Sequence, residues 1–293
     1  MKGESIELKS ANQPEISWDL EIKPKNDWFD LNLIDVWRYR DLLILLIKRD
    51  FVSVYKQTLL GPWWMLIQPI FTTIAFTLVF GNLAGISTDG LPKPLFYLAG
   101  LTAWNYFAAC FTNTSAVFTG NAAIFSKVYF PRLIIPLSVV ASNIIKFAVQ
   151  MVLFLALLLW YGFGSYGFHI QWSIFLFPVI ILLLAMMGLG FGLLITALTT
   201  KYRDFTFMIG FGVQLLMYAT PVIYPLSSVQ GRYRDLLALN PISGIIEAFR
   251  HAFLGKGEFD FYSLGYSAIF AMVILFAGVL LFNRAEKNFV DTV

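Results

Sequence analysis

The sequence predicts an all-α integral membrane protein with six transmembrane helices preceded by an amphipathic interfacial helix. Three observations predict it. Hydrophobic residues make up 58% of the 293 and charged residues only 13%, against roughly 25% charged in soluble domains, so there is too little polar surface to cover a water-soluble fold. Six stretches reach the ~20 apolar residues that a helix needs to cross a bilayer. Between those stretches the lysines and arginines fall mostly on one side. A chain in lipid must satisfy its own backbone hydrogen bonds, which makes the long runs helices; the short alternating segments of a barrel do not occur.

Residues 1–35 read as a polar cytoplasmic tail, with no apolar run behind a basic start and so no cleaved signal peptide. Residues 36–60 suit a helix but carry too much charge to cross. On a helical wheel Arg38, Asp41, Lys48, Arg49 and Lys56 gather on one side, and Val36, Leu43, Ile44, Ile47, Phe51 and Val54 on the other, with Arg40 and Asp50 out of pattern. Such a helix lies in the headgroup plane. It is either an anchor that orients the first span or a lever that passes motion to it; Tyr55 sits at its end. Gly61-Pro62 permits a sharp turn, with the proline tolerated in the first turn of the next helix. Trp63 and Trp64 suit the membrane interface. The spans follow at about 63–83, 95–119, 133–160, 172–198, 205–224 and 263–282, within a membrane domain covering 61–293.

Orientation follows from the basic residues near the spans. On the N-terminal side lie the nine up to Lys56, then Lys127, Arg132, Lys201, Arg203, Arg284 and Lys287; on the other lie Lys93, Arg232, Arg234, Arg250 and Lys256. Both termini are therefore predicted inside, and the long connection 225–262 outside. The net charge of +3 and the lack of a dense basic run exclude nucleic acid as a partner.

The chemistry of the chain is mostly one of absence. No G-x-x-x-x-G-K-[ST] phosphate loop occurs, so ATP is not hydrolysed by that route. The two histidines belong to no metal-like cluster, and the single cysteine, Cys110, forms no framework. No acidic residue lies within a span. Lys146 is the one ionisable residue deep in one; it is either a functional site or a lysine snorkelling or paired with a helix end. The sequon Asn113–Ser115 falls inside the second span, where small polar side chains serve helix packing. On the fifth span Phe207, Phe211, Gln214 and Tyr218 share a face. Aromatic rings with an amide can hold sugars, the C–H groups on the rings and the hydroxyls on the amide. Phe76 and Phe80 make a smaller pair on the first span. Ordinary packing against helices or lipid would place aromatics in the same way.

Five segments, "YKQTLLGPWWMLIQP" (Tyr55–Pro69), "FSKVYFPRLIIPLS" (Phe125–Ser138), "KYRDF" (Lys201–Phe205), "TPVIYP" (Thr220–Pro225) and "NPISGIIEAFRHAFLG" (Asn240–Gly255), stand in order around the spans. Together they resemble the ABC-2 type permeases, in the branch that exports polysaccharides and O-antigens. The resemblance covers nearly everything after residue 36. It implies a homodimer, each copy docked on a separate nucleotide-binding ATPase subunit that carries the ATP and Mg, so this chain has no cofactor of its own. It implies export of a lipid-linked polysaccharide across the bacterial inner membrane, with a small hydrophobic drug or lipid as the alternative cargo. Residues Asn121–Arg132 take the place of the main coupling loop, with Asn121, Phe125, Lys127, Tyr129, Phe130 and Arg132 as candidates. Tyr202, Arg203 and Asp204 support the same contact, and Tyr129 and Phe130 are expected to fill a cleft on the ATPase. Helix 36–60 is expected to pack beside that subunit, with Arg38, Lys48, Arg49, Tyr55 and Lys56. Trp63, Trp64, Phe76 and Phe80 join the fifth-span face as candidate pathway residues. Segment 225–262 resembles the family's re-entrant gate helices between spans five and six, with Asn240, Pro241, Glu247 and Arg250 as gate residues. "EAFRHAFLG" also resembles an importer coupling loop, but that loop is cytoplasmic and this segment is predicted outside.

Overall fold

The computed structural model describes residues 37–56, 59–125, 130–164, 166–167, 169, 171–201 and 204–290. Of residues 54–55, 122–125, 197, 200–201 and 286–290 the backbone alone is described. Among the described residues there are ten α-helices and no strand. They are α1 (Arg40–Tyr55), α2 (Trp64–Phe76), α3 (Lys93–Ser115), α4 (Val117–Phe125), α5 (Ile134–Gly162), α6 (Phe177–Lys201), α7 (Phe205–Tyr218), α8 (Arg232–Ala238), α9 (Pro241–Leu254) and α10 (Phe261–Val290).

Among the described residues four helical stretches are long and apolar enough to cross a membrane: Gly61–Leu83, Ile134–Gly162, Trp172–Thr196 and Phe261–Ala285. The first carries Pro69 inside α2 and continues as a π-helical segment, Thr77–Leu83. The second expected span is a 23-residue helix, α3, but its composition is more polar. Its packing explains this, because most of its residues are buried between α5, α6 and α7 rather than offered to lipid. It also stops at Ser115, where Ala116 leaves helical geometry, and α4 starts afresh. The carbonyls freed at that break are taken from α6: Thr196 donates to Thr114 O at 2.9 Å and Thr199 to Ser115 O at 2.6 Å. Orphan carbonyls at a helix end need such donors.

Helix α6 is the centre of the bundle, packed on both α3 and α10. Its glycines allow this. A Cβ on Gly188 or Gly192 would lie 2.5 Å from Cys110 Cβ or 2.4 Å from Thr114 Cβ, and Gly278 of α10 meets Gly190 O at a similarly short distance. Small residues bring helix backbones together where lipid supplies no hydrophobic drive between helices. Across α3 and α5 the contacts are polar: Asn105 donates to Gln150 Oε1 at 3.2 Å and Asn113 to Asn143 Oδ1 at 3.3 Å. The sequon asparagine thus serves packing.

The fifth expected span is cut short. α7 ends at Tyr218, a length of about 21 Å at 1.5 Å per residue, and residues 219–224 run on without helix. Pro221 disfavours helical geometry at Thr220, and other side chains bond the freed carbonyls of this stretch, as described below.

Helix α1 corrects the expected wheel. The seam that packs on α5 is Tyr39, Leu42, Leu43 and Leu46. Ile44, Leu45 and Val52 point away from it beside Trp37. The helix is apolar on both faces, so a wheel that separates charge from apolar residues does not find the packed one.

Candidate functional site

At one end of the bundle, the end of α7 and the start of α3 converge on α9. The local sequence explains α9. Asn240 Oδ1 accepts from Ile242 N at 3.1 Å, Pro241 fills the first helical position, and Gly255 ends the helix in the left-handed conformation at φ 63°. Cap, proline and terminal glycine are the three signals of a bounded helix. Asn240 also reaches back: its Nδ2 donates to Ala219 O at 3.0 Å and Thr220 Oγ1 at 2.8 Å.

One turn into the buried face stand Glu247 and Arg250, each side chain 1% exposed and 3.0 Å apart. Arg250 Nη1 also donates to Pro221 O, and Nη2 to Val222 O at 2.6 Å. Its guanidinium lies 3.9 Å from the centroid of the Phe96 ring, a cation–π contact strengthened by desolvation. Glu247 Oε2 accepts Glu258 N at 3.1 Å. The guanidinium fits only because residue 100 is glycine, since a Cβ there would lie 2.6 Å from Nη2. Arg250 and Asn240 thus satisfy the carbonyls released where α7 breaks. The four predicted gate residues lie together, Glu247 and Arg250 buried and Asn240 and Pro241 half-buried. Beside them His251 stacks on Phe259 at 17° with centroids 5.1 Å apart, and its Nδ1 is 2.9 Å from Ser173 Oγ. Burial pushes its imidazole below the usual histidine value.

Helix α8 between them contrasts with α9. None of its residues is buried, and an exposed pair, Arg234–Glu258 at 2.7 Å, ties it down.

Along α7 the inward face is Ile209, Val213 and Met217. The opposite face carries Phe207 (82% exposed), Phe211 (67%) and Tyr218 (46%), with exposed Gln214 among them. Trp63 and Trp64 are exposed too. Phe76 and Phe80 are not: they pack edge to face at 5.1 Å, and Phe76 meets Tyr97 at 6.1 Å, half-buried against the core. The structure therefore separates the first-span pair from the open α7 face.

At the other end of the bundle α1 meets the entry to α5. Phe130 is 6% exposed and shares a small core with Leu46, Val117, Ile134 and Ile135. Arg49 Nη2 donates to Asn121 Oδ1 at 3.2 Å.

Comparison with known proteins places these features. Residues 41–254 match the family model described as ABC-2 type transporter. The chain belongs to the ABC-2 type transporter family. It is 27% identical to the O-antigen export system permease protein RfbA of Myxococcus xanthus over 262 residues, 88% of this chain and 98% of that one. It is 26% identical to the RfbA of Klebsiella pneumoniae over 86% of this chain and 94% of that one. The polysialic acid transport protein KpsM of Escherichia coli matches at 22% over 83% and 92%.

A permease of this family is a multi-pass membrane protein that works with a separate ATPase subunit and carries no ATPase site. In this permease Phe130 does not project from the segment 121–132. It is buried on the chain's own α1, because a phenylalanine next to Leu46 and Ile134 loses more water there than at a surface; the expectation that it fills a partner's cleft is corrected. Lys127, Tyr129, Tyr202 and Arg203 lie outside the described residues, and of Tyr55 and Phe125 only the backbone is described. Arg38, Lys48 and Lys56 are exposed, Arg132 is half-buried, and Asp204 is exposed at the start of α7. Sequence reasoning missed Phe96 and Gly100. Thr220, Pro221 and Val222 stood in a quoted motif without a role of their own, and the last two act through backbone carbonyls, which no residue type announces.

Proposed function

We propose that this permease exports a lipid-linked, O-antigen-like polysaccharide across the bacterial inner membrane, as a homodimer driven by a separate nucleotide-binding subunit that holds ATP and Mg. The open α7 face carries this reading: rings at Phe207, Phe211 and Tyr218 with the Gln214 amide offer stacking surfaces and hydrogen bonds at membrane depth, as a passing sugar chain needs. Likeness to O-antigen and polysialic acid permeases along nearly their whole length supports it. The chain crosses six times, through α2, α3, α5, α6, α7 and α10, with both termini cytoplasmic. α1 lies at the cytoplasmic headgroups, and α8 and α9 form the external gate segment. Residues 121–132, with Lys127, Tyr129 and Arg132, receive the push of the ATPase, helped by Tyr202, Arg203 and Asp204.

Deletion of the permease in its host tests this. Surface glycan is expected to disappear while lipid-linked glycan accumulates inside. Gln214→Leu with Phe211→Ala is expected to restore expression but not export. Unchanged surface glycan with altered sensitivity to hydrophobic drugs would favour a drug or lipid cargo instead.

A further inference from the structure

The buried side of α2 is Met65, Pro69 and Thr73, and Phe76 and Phe80 pack inward beyond them. Continued by the same steps of three and four, this side reaches Leu83. Leu83 stands seven residues after Phe76, and in an α-helix residues so spaced share a face. The sequence pattern therefore favours one unbroken α-helix with Leu83 turned inward.

The structure winds this stretch differently. Thr77–Leu83 is a π-helix, closed by Ala84 N donating to Val79 O at 2.9 Å, a step of five residues. Gly81, five residues after Phe76, takes the buried place, and Leu83 is 84% exposed. Contact with α3 imposes this. A Cβ on Gly81 would lie 2.9 Å from Lys93 Cδ and 3.3 Å from Tyr97 Cε2, so α3 stands too close for a leucine. On the exposed rim Lys93 Nζ donates to Asn82 Oδ1 at 2.8 Å. Local pattern and long-range contact thus favour different windings, the mark of an element with a competing state. Short π segments within α-helices are frequent at functional sites.

A change of winding within lipid strands backbone carbonyls unless donors stand by. Thr73 and Thr77 supply them. Their hydroxyls are buried without a partner, whereas Thr72, Thr102, Thr196 and Thr220 each donate to the carbonyl four residues before. The two uncommitted hydroxyls flank the point at which α winding gives way to π.

We propose that the far end of the first span is a two-register switch. In one register Gly81 faces α3 and the Lys93–Asn82 bond latches it. In the other, entered when α2 draws away from α3, the segment closes to α winding and the Thr73 and Thr77 hydroxyls take the carbonyls freed in passing. Leu83 then turns inward by about 100°, one residue's step at 3.6 residues per turn. The span so presents a different face at this end as its spacing from α3 changes. Asn82 and Lys93 are positioning residues in this device, and the inference does not depend on the cargo.

The test uses the full-length permease assembled with its nucleotide-binding subunit in lipid nanodiscs, in a Cys110→Ser background, with a nitroxide on Leu83→Cys. The spectrum separates a mobile label at the exposed position from an immobilised one packed inward. With Gly81 and Asn82 intact the label is expected to be mostly mobile. Asn82→Ala, a change on the exposed rim, should raise the ratio of immobilised to mobile label about fivefold, the weight of one hydrogen bond. Gly81→Leu should immobilise most of the label. Deletion of Val79 leaves a step of four from Phe76 to Gly81, so α winding then fits the docked arrangement and keeps Leu83 outward. That deletion should hold the label mobile even when combined with Asn82→Ala, whereas general damage to the span would not separate the two backgrounds. An unchanged spectrum in Asn82→Ala overturns the proposal, as does an equal immobilised fraction with and without the deletion. Should Gly81→Leu not assemble, those two comparisons still decide it.

Discussion

Replacing Arg250 by alanine isolates the joint at the end of α7. The substitution removes the guanidinium from Glu247, whose side chain is 1% exposed, and takes the donors from Pro221 O and Val222 O. Removing one partner of a buried pair costs roughly 3–5 kcal/mol, mostly the price of the stranded charge. Each buried carbonyl left bare adds up to about 1–3 kcal/mol, reduced where the backbone relaxes. The expected loss is about 4 kcal/mol. Arg250→Lys should recover part of it, since an ammonium restores charge but cannot serve two carbonyls and a carboxylate as a fork. Glu247→Gln strands the Arg250 charge in turn and should cost about 3 kcal/mol, the low end of that range because Arg250 keeps both carbonyls and the Phe96 ring. Glu247→Leu with Arg250→Met removes both charges and should be less damaging than Arg250→Ala, as apolar replacement of a buried pair is often neutral. Denaturant titration of the purified permease in mixed micelles, followed by tryptophan fluorescence, gives the differences. A loss of under about 1 kcal/mol for Arg250→Ala, or a double variant less stable than Arg250→Ala, would refute the reasoning.

Two further predictions follow from packing and charge. Gly192→Ala places a Cβ 2.4 Å from Thr114 Cβ and is expected to cost about 1–3 kcal/mol as α3 and α6 are forced apart; a melting temperature equal to wild type would contradict that close approach. His251, pushed down by burial, binds a proton less readily folded than unfolded. Its contribution to stability is therefore full above about pH 6.5 and lost as pH falls through the folded value; His251→Gln should flatten this acid dependence, and an unaltered pH profile of the denaturation midpoint would count against it.

Much of the framework was legible before any coordinates. The apolar runs at Gly61–Leu83, Ile134–Gly162, Trp172–Thr196 and Phe261–Ala285 can be read directly, because transfer of a long apolar side-chain set out of water is a local, additive quantity. Asn240-Pro241 and Gly255 announce α9 for the same reason: caps act on adjacent backbone groups. The missing phosphate loop already indicated a chain without its own ATPase site. Helix α7 was overextended because hydropathy counts "TPVIYP" as span, whereas the chain breaks there once Asn240 and Arg250, some twenty to thirty residues away, take the carbonyls.

What only the tertiary structure decided is which apolar surfaces face protein. Hydropathy scores lipid and a neighbouring helix alike, since both exclude water. It could not say that Phe76 and Phe80 turn inward onto Tyr97 while Phe207 and Phe211 stay open, or that Phe130 lies under α1. Nor could it assign partners to Arg250. A charge in an apolar setting is legible as costly from sequence alone, but the groups that offset the cost here include the backbone carbonyls of Pro221 and Val222, and long-range contact fixes those.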